Sequence, residues 1–426
     1  MLRKTQLNTV RPNAVRRNFQ LGVANGLLFT LGETLLDPTL VLAVFISDLT
    51  PSPIWLGLLT PLRDGGWFLP QLWVSGFLQS WPRKIRLYRW VSIVRAVSWI
   101  LMTLAVLFIR DPVWTLIAFL IPFSISSLAS GFSGLPFMEI VGKTVPPRQR
   151  GLFFAWRLAL GGAASLGGSL LVRWVLGDDS PLQFPYTFGA LFAIATVFMI
   201  LGLAAFSSIA EPEDTSVPPP ASFGQQLGRS LAVFKRDENF RHFLYLRIAL
   251  MIAGSATPFL AVYVQKNLGG SVGMVGIYLA TFSAANLIAN VLFGRFSMRL
   301  GNRNTMGLAA VAGLAMTTLA LALILLAAPL GLSGLAASLW LLPVFILSAV
   351  RESGLGVAAQ SLLLDIAPRE DRTIYLGFTN SLLGVVFLAT GLSGVVVDLF
   401  GYPILLIVTI LAHLVGLNSA LRMRER

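Results

Sequence analysis

The 426 residues include no cysteine, which excludes disulfides, thiolate-bound metals and thiol nucleophiles. Histidine is almost as scarce. His242 and His413 stand far apart, so no histidine-built metal site is expected, and His413 reads as a packed residue. Charge is thin as well: 12% of residues are ionisable against 55% apolar, about half the charged share of a soluble domain. No glycine loop closing on Lys-Ser or Lys-Thr is present, so ATP drive from within the chain is not expected and no cofactor is called for. The chain also lacks His-Glu-x-x-His and a convincing Ser–His pairing. An intramembrane enzyme is therefore not expected.

What the chain does contain is apolar sequence in runs of about twenty residues, the length that crosses a hydrocarbon core roughly 30 Å thick. Backbone in lipid must satisfy its own hydrogen bonds, and unbroken runs of this length choose helices over barrel strands. Spans are expected near 18–46, 53–81, 87–109, 113–142, 150–175 and 184–208, then near 240–265, 270–298, 304–328, 336–365, 373–397 and 402–421. The fold class that follows is an all-α membrane protein with twelve transmembrane helices in two pseudo-symmetric six-helix bundles. The bundles occupy 18–209 and 240–421, with a cytoplasmic tail at 1–17, a cytoplasmic linker at 210–239 and a short tail at 422–426. The linker opens on Glu211, Pro212, Glu213 and Asp214. Its later residues Phe223, Leu227, Leu231 and Phe234 fall at helical spacing beside Arg229, Lys235 and Arg236. That pattern suits either an amphipathic helix on an anionic bilayer surface or a solvated connector.

Positive charge sorts by side. With the amino terminus in the cytoplasm, the inside segments carry Arg3, Lys4, Arg11, Arg16 and Arg17, then Arg83, Lys84, Arg86 and Arg89, then Lys143, Arg148 and Arg150. Further on they carry Arg229, Lys235, Arg236 and Arg241, then Arg295, Arg299 and Arg303, then Arg369 and Arg372, and finally Arg422, Arg424 and Arg426. The opposite side holds only Arg110, Arg173 and Lys266. Both termini are therefore expected inside, in a plasma or inner membrane. The net charge of +13 is accounted for without nucleic acid. The first span is long and holds Glu33 and Asp37, so it is expected to persist rather than be cleaved as a signal. Trp55, Trp81, Trp114, Trp174 and Trp340 fall near span ends, as interfacial anchors do.

The two halves repeat at an offset near 220 residues. Asn18-Phe19 matches Asn239-Phe240, Pro38 matches Pro258, and Leu56-Gly57-Leu58 matches Val275-Gly276-Ile277. Gly76 before a basic loop matches Gly294, and Pro146 with Arg150 matches Pro368 with Arg372. Halves of equal orientation are parallel repeats, which place a cavity between them near the midplane. On these residues the chain resembles the major facilitator superfamily. That family carries Gly-x-x-x-Asp-[Arg/Lys]-x-Gly-[Arg/Lys]-[Arg/Lys] between helices 2 and 3. Here Gly76, Arg83, Lys84 and Arg86 fit, while Ser80 and Trp81 replace the aspartate and the first base. The second copy fits at Gly294, Arg299, Gly301 and Arg303, with Met298 at the aspartate position. The turn Pro147-Arg148-Gln149-Arg150-Gly151, followed by Gly161-Gly162 and Gly167-Gly168, is similar too. The Gly-Pro of the family's antiporter signature is absent, Ala163-Ala164 standing ahead of Gly167-Gly168.

Ionisable side chains inside spans mark functional surface, because each costs at least a few kcal/mol unless paired or wetted. The acids are Glu33, Asp37, Asp64, Glu139 and Glu352; the bases are Arg63, Arg95, Arg157, Arg247 and Arg351. Glu33 and Asp37 stand one turn apart on one face, and a rise of about 1.5 Å per residue puts Arg63 at the depth of Asp37. Pairing of those two leaves Glu33 or Asp64 spare, and a carboxylate in a poorly solvated cavity is able to exchange a proton near neutrality. Glu33, Asp37 and Asp64 are thus the expected proton-coupling group, with a static Asp37–Arg63 salt bridge as the plainer alternative. Arg63, Arg247, Arg351, Glu352, Asn25, Gln71, Asn286, Asn290, Asn380 and Trp156 are expected at the substrate cavity, although helix–helix hydrogen bonding explains several equally well. Arg95, Glu139, Arg157, Arg150, Arg299, Arg303 and Arg372 are the expected cytoplasmic gate. No metal site is expected. The surplus positive charge of the second half points to an anionic or zwitterionic solute.

The function expected is secondary active transport of a small solute by alternating access, coupled to protons, in a monomer embedded in lipid. The competing readings are a flippase for lipids or amphiphiles, a multidrug exporter of the same fold, and a membrane receptor or scaffold that transports nothing.

Overall fold

Proline and glycine decide where the helices break. The computed structural model describes residues 12–78, 81–214, 228, 232–368 and 372–423. Helix α1, Pro12–Leu35, stops ahead of Pro38, whose ring cannot continue an i to i−4 ladder. Asp37 then caps the restart: its Oδ1 accepts from the N–H groups of Thr39 at 3.0 Å and Leu40 at 2.8 Å, just before α2, Val41–Leu49. The second span is also composite. It begins as α3, Pro53–Thr60, widens to a π-helical turn at Pro61–Gly65 that carries Arg63 and Asp64, and continues as α4, Gly66–Leu78. Such π-turns inside α-helices are frequent at functional sites.

Four longer helices complete the first half: α5, Ile85–Phe108; α6, Pro112–Thr144; α7, Pro147–Val175; and α8, Tyr186–Ser207. Helix α6 starts with Asp111 accepting from Trp114 N at 2.9 Å and with Pro112 in the first turn, where a missing N–H costs nothing. In the second half, α9, Glu238–Gly254, is capped by Asp237, which accepts from Phe240 N at 3.1 Å. It gives way to α10, Thr257–Leu268, with Pro258 in its first turn. Helix α11, Met274–Leu326, then runs for 53 residues, about 80 Å at helical rise and more than twice a bilayer core. It is two helices meeting at Gly301, whose φ of 80° is open only to a residue without a Cβ. Helices α12, Gly334–Ile366, α13, Arg372–Thr390, and α14, Ser393–Arg422, follow, the last broken the same way at Gly401.

Eight helical stretches among the described residues are long and apolar enough to cross a membrane: α5, α6, α7, α8, α9 with α10, α11, α12 and α14. No strand occurs among the described residues. The chain is a multi-pass membrane protein. Its outer surface carries large apolar side chains such as Trp90, Phe108 and Leu421, the surface lipid would cover.

The helices gather into two compact units. One comprises the chain up to Leu36, Gly66–Gly168 and the stretch from Gln183 into the linker; the other comprises Asp37–Gly65, Ser169–Leu182 and the chain from Phe223 on. In the first, α1 packs on α8, α5 on α6 and α8, and α4 on α6. Glycines permit the tightest approach. A Cβ on Gly131 would lie 2.6 Å from the Trp67 carbonyl oxygen, and one on Gly26 would lie 2.9 Å from the Arg157 side chain. In the second, the two arms of α11 flank α12, α14 packs on α9 and α3, and the π-turn meets α13. Its largest aromatic cluster joins Phe240, Phe243 and Tyr375.

The linker is described in part. Phe223, Leu227 and Leu231 lie outside the described residues. Phe234 packs on the core of the second unit, its ring 5.9 Å from that of Phe378. At this position the apolar stripe is used within the protein rather than on a bilayer surface.

Candidate functional site

Within the first unit, two arginines organise the polar interior. Arg95 on α5 is 8% exposed, and its guanidinium lies over the rings of Phe29, 4.9 Å away, and Trp99, 4.8 Å away. Its Nε finds no acceptor among the described residues. Tyr88 and the half-buried Glu33 of α1 lie in its electrostatic field. Arg157 on α7 instead reaches α1 directly. Nη1 donates to the Gly22 carbonyl and, at 2.9 Å, to Asn25 Oδ1, and the guanidinium covers the Phe137 and Phe153 rings. Asn25 completes the chain by donating to Gly202 O at 2.8 Å. Tyr88 also lies in the field of both arginines.

These placements separate one pair that the sequence reading grouped. Glu139 is exposed and makes no ion pair with Arg157 in this structure. Glu33 falls in the first unit, and Asp37, Arg63 and Asp64 in the second. Asp37 is a turn cap, which gives it a structural role whatever else it does. Arg63, Asp64 and Gln71 are half-buried, and so is Asn380, while Trp156 is exposed. Arg150 donates from Nε to Val145 O at 3.2 Å and from Nη2 to Gly142 O, closing the end of α6. Arg303 donates from Nη1 to Met423 O at 2.7 Å, and Arg299 is exposed. The side chain of Arg372 lies outside the described residues.

A cluster absent from the sequence reading fastens the start of the linker to the first unit. The buried Glu211 accepts from Ile85 N at 2.6 Å, at the start of α5, and from Lys143 Nζ at 2.8 Å. Asp214 accepts from Lys143 at 2.6 Å and Lys84 at 3.0 Å, its N–H donates to Pro82 O, and Glu213 pairs with Arg83 at 3.1 Å. Partial burial of Asp214 would raise its carboxyl, but the hydrogen bonds from the two ammonium groups prevail and hold it below the ordinary range. The sequence signal was present, an acid-rich stretch and two basic loops of the same side, but the three lie far apart in the chain.

Within the second unit, α12 carries the polar interior. Arg351, 3% exposed, donates from Nη1 to Glu352 and from Nη2 to the Leu250 carbonyl of α9, and its Nε has no acceptor among the described residues. Two glycines make the space: a Cβ on Gly254 would lie 2.7 Å from Arg351 Nη2, and one on Gly313 would lie 2.0 Å from His413 Nε2 and 2.8 Å from Arg351 Cδ. His413 is buried as expected, with Nδ1 2.9 Å from Thr409 O. Arg247 on α9 stands in the field of Glu352 and Arg351. On the neighbouring face, Asn290 donates to Asn286 Oδ1 at 2.8 Å and accepts from Ser353 at 2.7 Å, and Asn286 reaches Ala349 O at 3.5 Å. Arg247, Arg351 and Glu352 are therefore brought together, and Asn286 with Asn290 bracket the same turn of α12 through Ala349 and Ser353.

The same unit also contains close backbone contacts between segments of different halves of the sequence. A Cβ on Gly57 of α3 would lie 2.5 Å from Gly394 N, and one on Gly394 would lie 2.4 Å from Pro53 O. At the repeat-related Gly276 a Cβ would lie 2.3 Å from Arg173 N. Asp48 pairs with Lys266, and Ser271 Oγ donates to Asp178 at 2.9 Å.

Comparison with known proteins agrees with this architecture. Residues 243–426 match the family model of the Major Facilitator Superfamily. A crystal structure of the nucleoside transporter NupG superposes with a TM-score of 0.71 at 14% identity, covering 96% of this chain and 99% of that one. A D-xylose-proton symporter gives 0.67 at 16% identity, covering 96% and 97%. A bacterial homologue of the iron transporter ferroportin, captured inward-facing, gives 0.68 at 15%, covering 96% and 99%. No curated protein matches the chain in sequence. The similarity to the superfamily's model is thus confined to the carboxy-terminal part of the chain, and the whole chain shares the fold of these solved transporters.

Proposed function

We propose that this protein is a secondary active transporter of the major facilitator superfamily, moving a small solute by alternating access and coupling that movement to protons. The reading carries twelve spans, counted by joining segments across the breaks at Asp37, the π-turn and Ser255 and by dividing α11 at Gly301. It divides them into bundles at 18–209 and 240–421, linked through 210–239 and flanked by the tails 1–17 and 422–426. It places a monomer in the plasma or inner membrane with both termini in the cytoplasm.

The observation that carries it is the buried Arg95 guanidinium, in whose electrostatic field Glu33 of α1 lies. A guanidinium buried between Phe29 and Trp99 needs a counter-charge, because an uncompensated ion in an apolar interior costs several kcal/mol. Glu33 supplies it from α1 when ionised. Protonation of Glu33 removes it, so proton occupancy changes the energy of holding α1 against α5. A ligand or proton shifts a conformational equilibrium only by its differential free energy in the two states, and this pair provides such a difference. Glu33 is therefore the proton-carrying group and Arg95 its positioning partner, with Asp64 and Asp37 as further acids of the second unit. Substrate contacts are assigned to Arg247, Glu352, Asn286 and Asn290, supported by their convergence on one turn of α12. The close contacts at Gly57 and Gly276 serve as the outer closure, and the Glu211–Asp214 clamp holds the cytoplasmic end of the first unit. No observation favours the flippase, exporter or receptor readings.

The test is Glu33→Gln in proteoliposomes, using a solute found by thermal-shift screening. Uncoupled exchange of labelled solute should persist while accumulation driven by a pH gradient disappears. Gradient-driven accumulation equal to that of the unmodified protein would remove Glu33 from the mechanism.

A further inference from the structure

Arg351 of α12 bridges Glu352 and the Leu250 carbonyl of α9, one turn along α9 from Arg247, and the three charged side chains are not equivalent. Arg351 is 3% exposed and already engaged, held by Glu352 and by the Leu250 carbonyl, with Gly254 and Gly313 closing around it. Glu352 leaves 48% of its side chain exposed. Arg247 is half-buried and in the field of both, yet it meets no carboxylate or carbonyl at hydrogen-bond distance among the described residues. The trio sums to one positive charge. An arginine inside an apolar bundle is costly unless paired or wetted. It also offers five donors in a planar fork that matches a carboxylate.

We infer that Arg247 receives the anionic group of a singly charged organic solute, with Arg351 and Glu352 setting the net charge of the site. A single negative charge balances the trio. A dianion leaves one charge uncompensated, and a cation is repelled. The Asn286–Asn290–Ser353 chain brackets the same turn of α12. Asn290 gives one N–H to Asn286 and accepts from Ser353, so its second N–H remains for a neutral polar group of the same solute. Glu352 then has a selectivity role: its charge, on the Arg351 guanidinium and in the field of Arg247, disfavours a second anionic group. This inference rests on the transporter reading for its purpose, but not for its chemistry.

The test uses the purified full chain in detergent with four probes of similar size: benzoate, phthalate, benzamide and benzylamine. Thermal unfolding is followed across concentration, with size-exclusion profiles as the check on folding. Benzoate should raise the unfolding temperature, while benzamide and benzylamine should not. Arg247→Gln should weaken the benzoate response at least tenfold, and Arg247→Lys, which keeps the charge without the fork, should retain part of it. Glu352→Gln should admit phthalate and strengthen benzoate several-fold. Equal responses to all four probes, no response to benzoate, or an unchanged benzoate response in folded Arg247→Gln would each overturn the inference. Proton-coupled uptake of a neutral solute with no benzoate response would sink the anion site and leave the transporter reading intact. Benzoate binding through Arg247 without any solute-coupled proton flux would do the reverse.

Discussion

The guanidinium of Arg157 shows how much of the first unit rests on one planar side chain. It donates to Gly22 O and Asn25 Oδ1 and covers two phenylalanine rings, so α1, α6 and α7 meet on it. Lysine carries the charge but neither the fork nor the flat face. Arg157→Lys should therefore lower stability by about 1–3 kcal/mol, the cost of leaving buried acceptors unpaired. The check is the unfolding midpoint in detergent, and a midpoint unchanged from the parent would show that the acceptors find other donors. Asp214 gives a prediction with a sign. Its folded carboxyl titrates below the ordinary value of 3.8 because two lysines hydrogen-bond the ionised form, despite the opposing effect of burial. That contribution is complete above the unfolded value and is lost as pH falls through the folded one. The unfolding temperature should drop as pH is lowered below about 4, and Asp214→Asn should flatten that dependence. A variant as acid-sensitive as the parent would remove Asp214 as the cause. Neither arrangement was legible in the sequence. Arg157 was grouped with Glu139 by depth alone, and depth does not say which face of α7 meets which neighbour. Glu211 and Asp214 lie more than sixty residues from Lys143 and farther still from Lys84, and nothing local announces the contact.

At the scale of helices, the breaks follow residues that can be read directly. Pro38 and Pro258 occupy matching places in the repeat and mark matching interruptions, α1 to α2 and α9 to α10. Gly301 and Gly401 take positive φ where helices join. The π-turn at Pro61–Gly65 was not legible, because it depends on how α3 meets α14 and how the turn meets α13. Gly57 and Gly276 were read as repeat markers, and the structure gives both the same physical task, a backbone-to-backbone contact with no room for a Cβ. Gly57→Val and Gly276→Val should each cost about 1–3 kcal/mol through overpacking of these contacts. Because the chain has no cysteine, a single Ser393→Cys beside Gly394 reports on this directly. The buried Ser393 position should label faster with a membrane-impermeant maleimide when Gly57 is valine. Equal labelling rates would show that the contact yields without opening.

For the whole molecule, fold class was open to reading because membranes impose few solutions. Apolar runs of bilayer length and positive charge sorted by loop lead to helices of alternating direction, and the family model and solved transporters agree. The charges of the interior were legible as a set of residues but not as a set of contacts. The charges inside spans were each visible in the sequence, whereas which neighbours Arg95 and Arg351 meet, and that Arg247 lacks a hydrogen-bond partner among the described residues, depend on packing between helices. The most direct measurement is proton flux in proteoliposomes carrying a trapped pH-sensitive dye, recorded on adding each solute that stabilises the purified protein. A transporter of the kind described predicts acidification or alkalinisation that needs the solute, saturates with it and vanishes in Glu33→Gln. Solute that crosses at equal rates with and without the protein, and moves no protons, would contradict it.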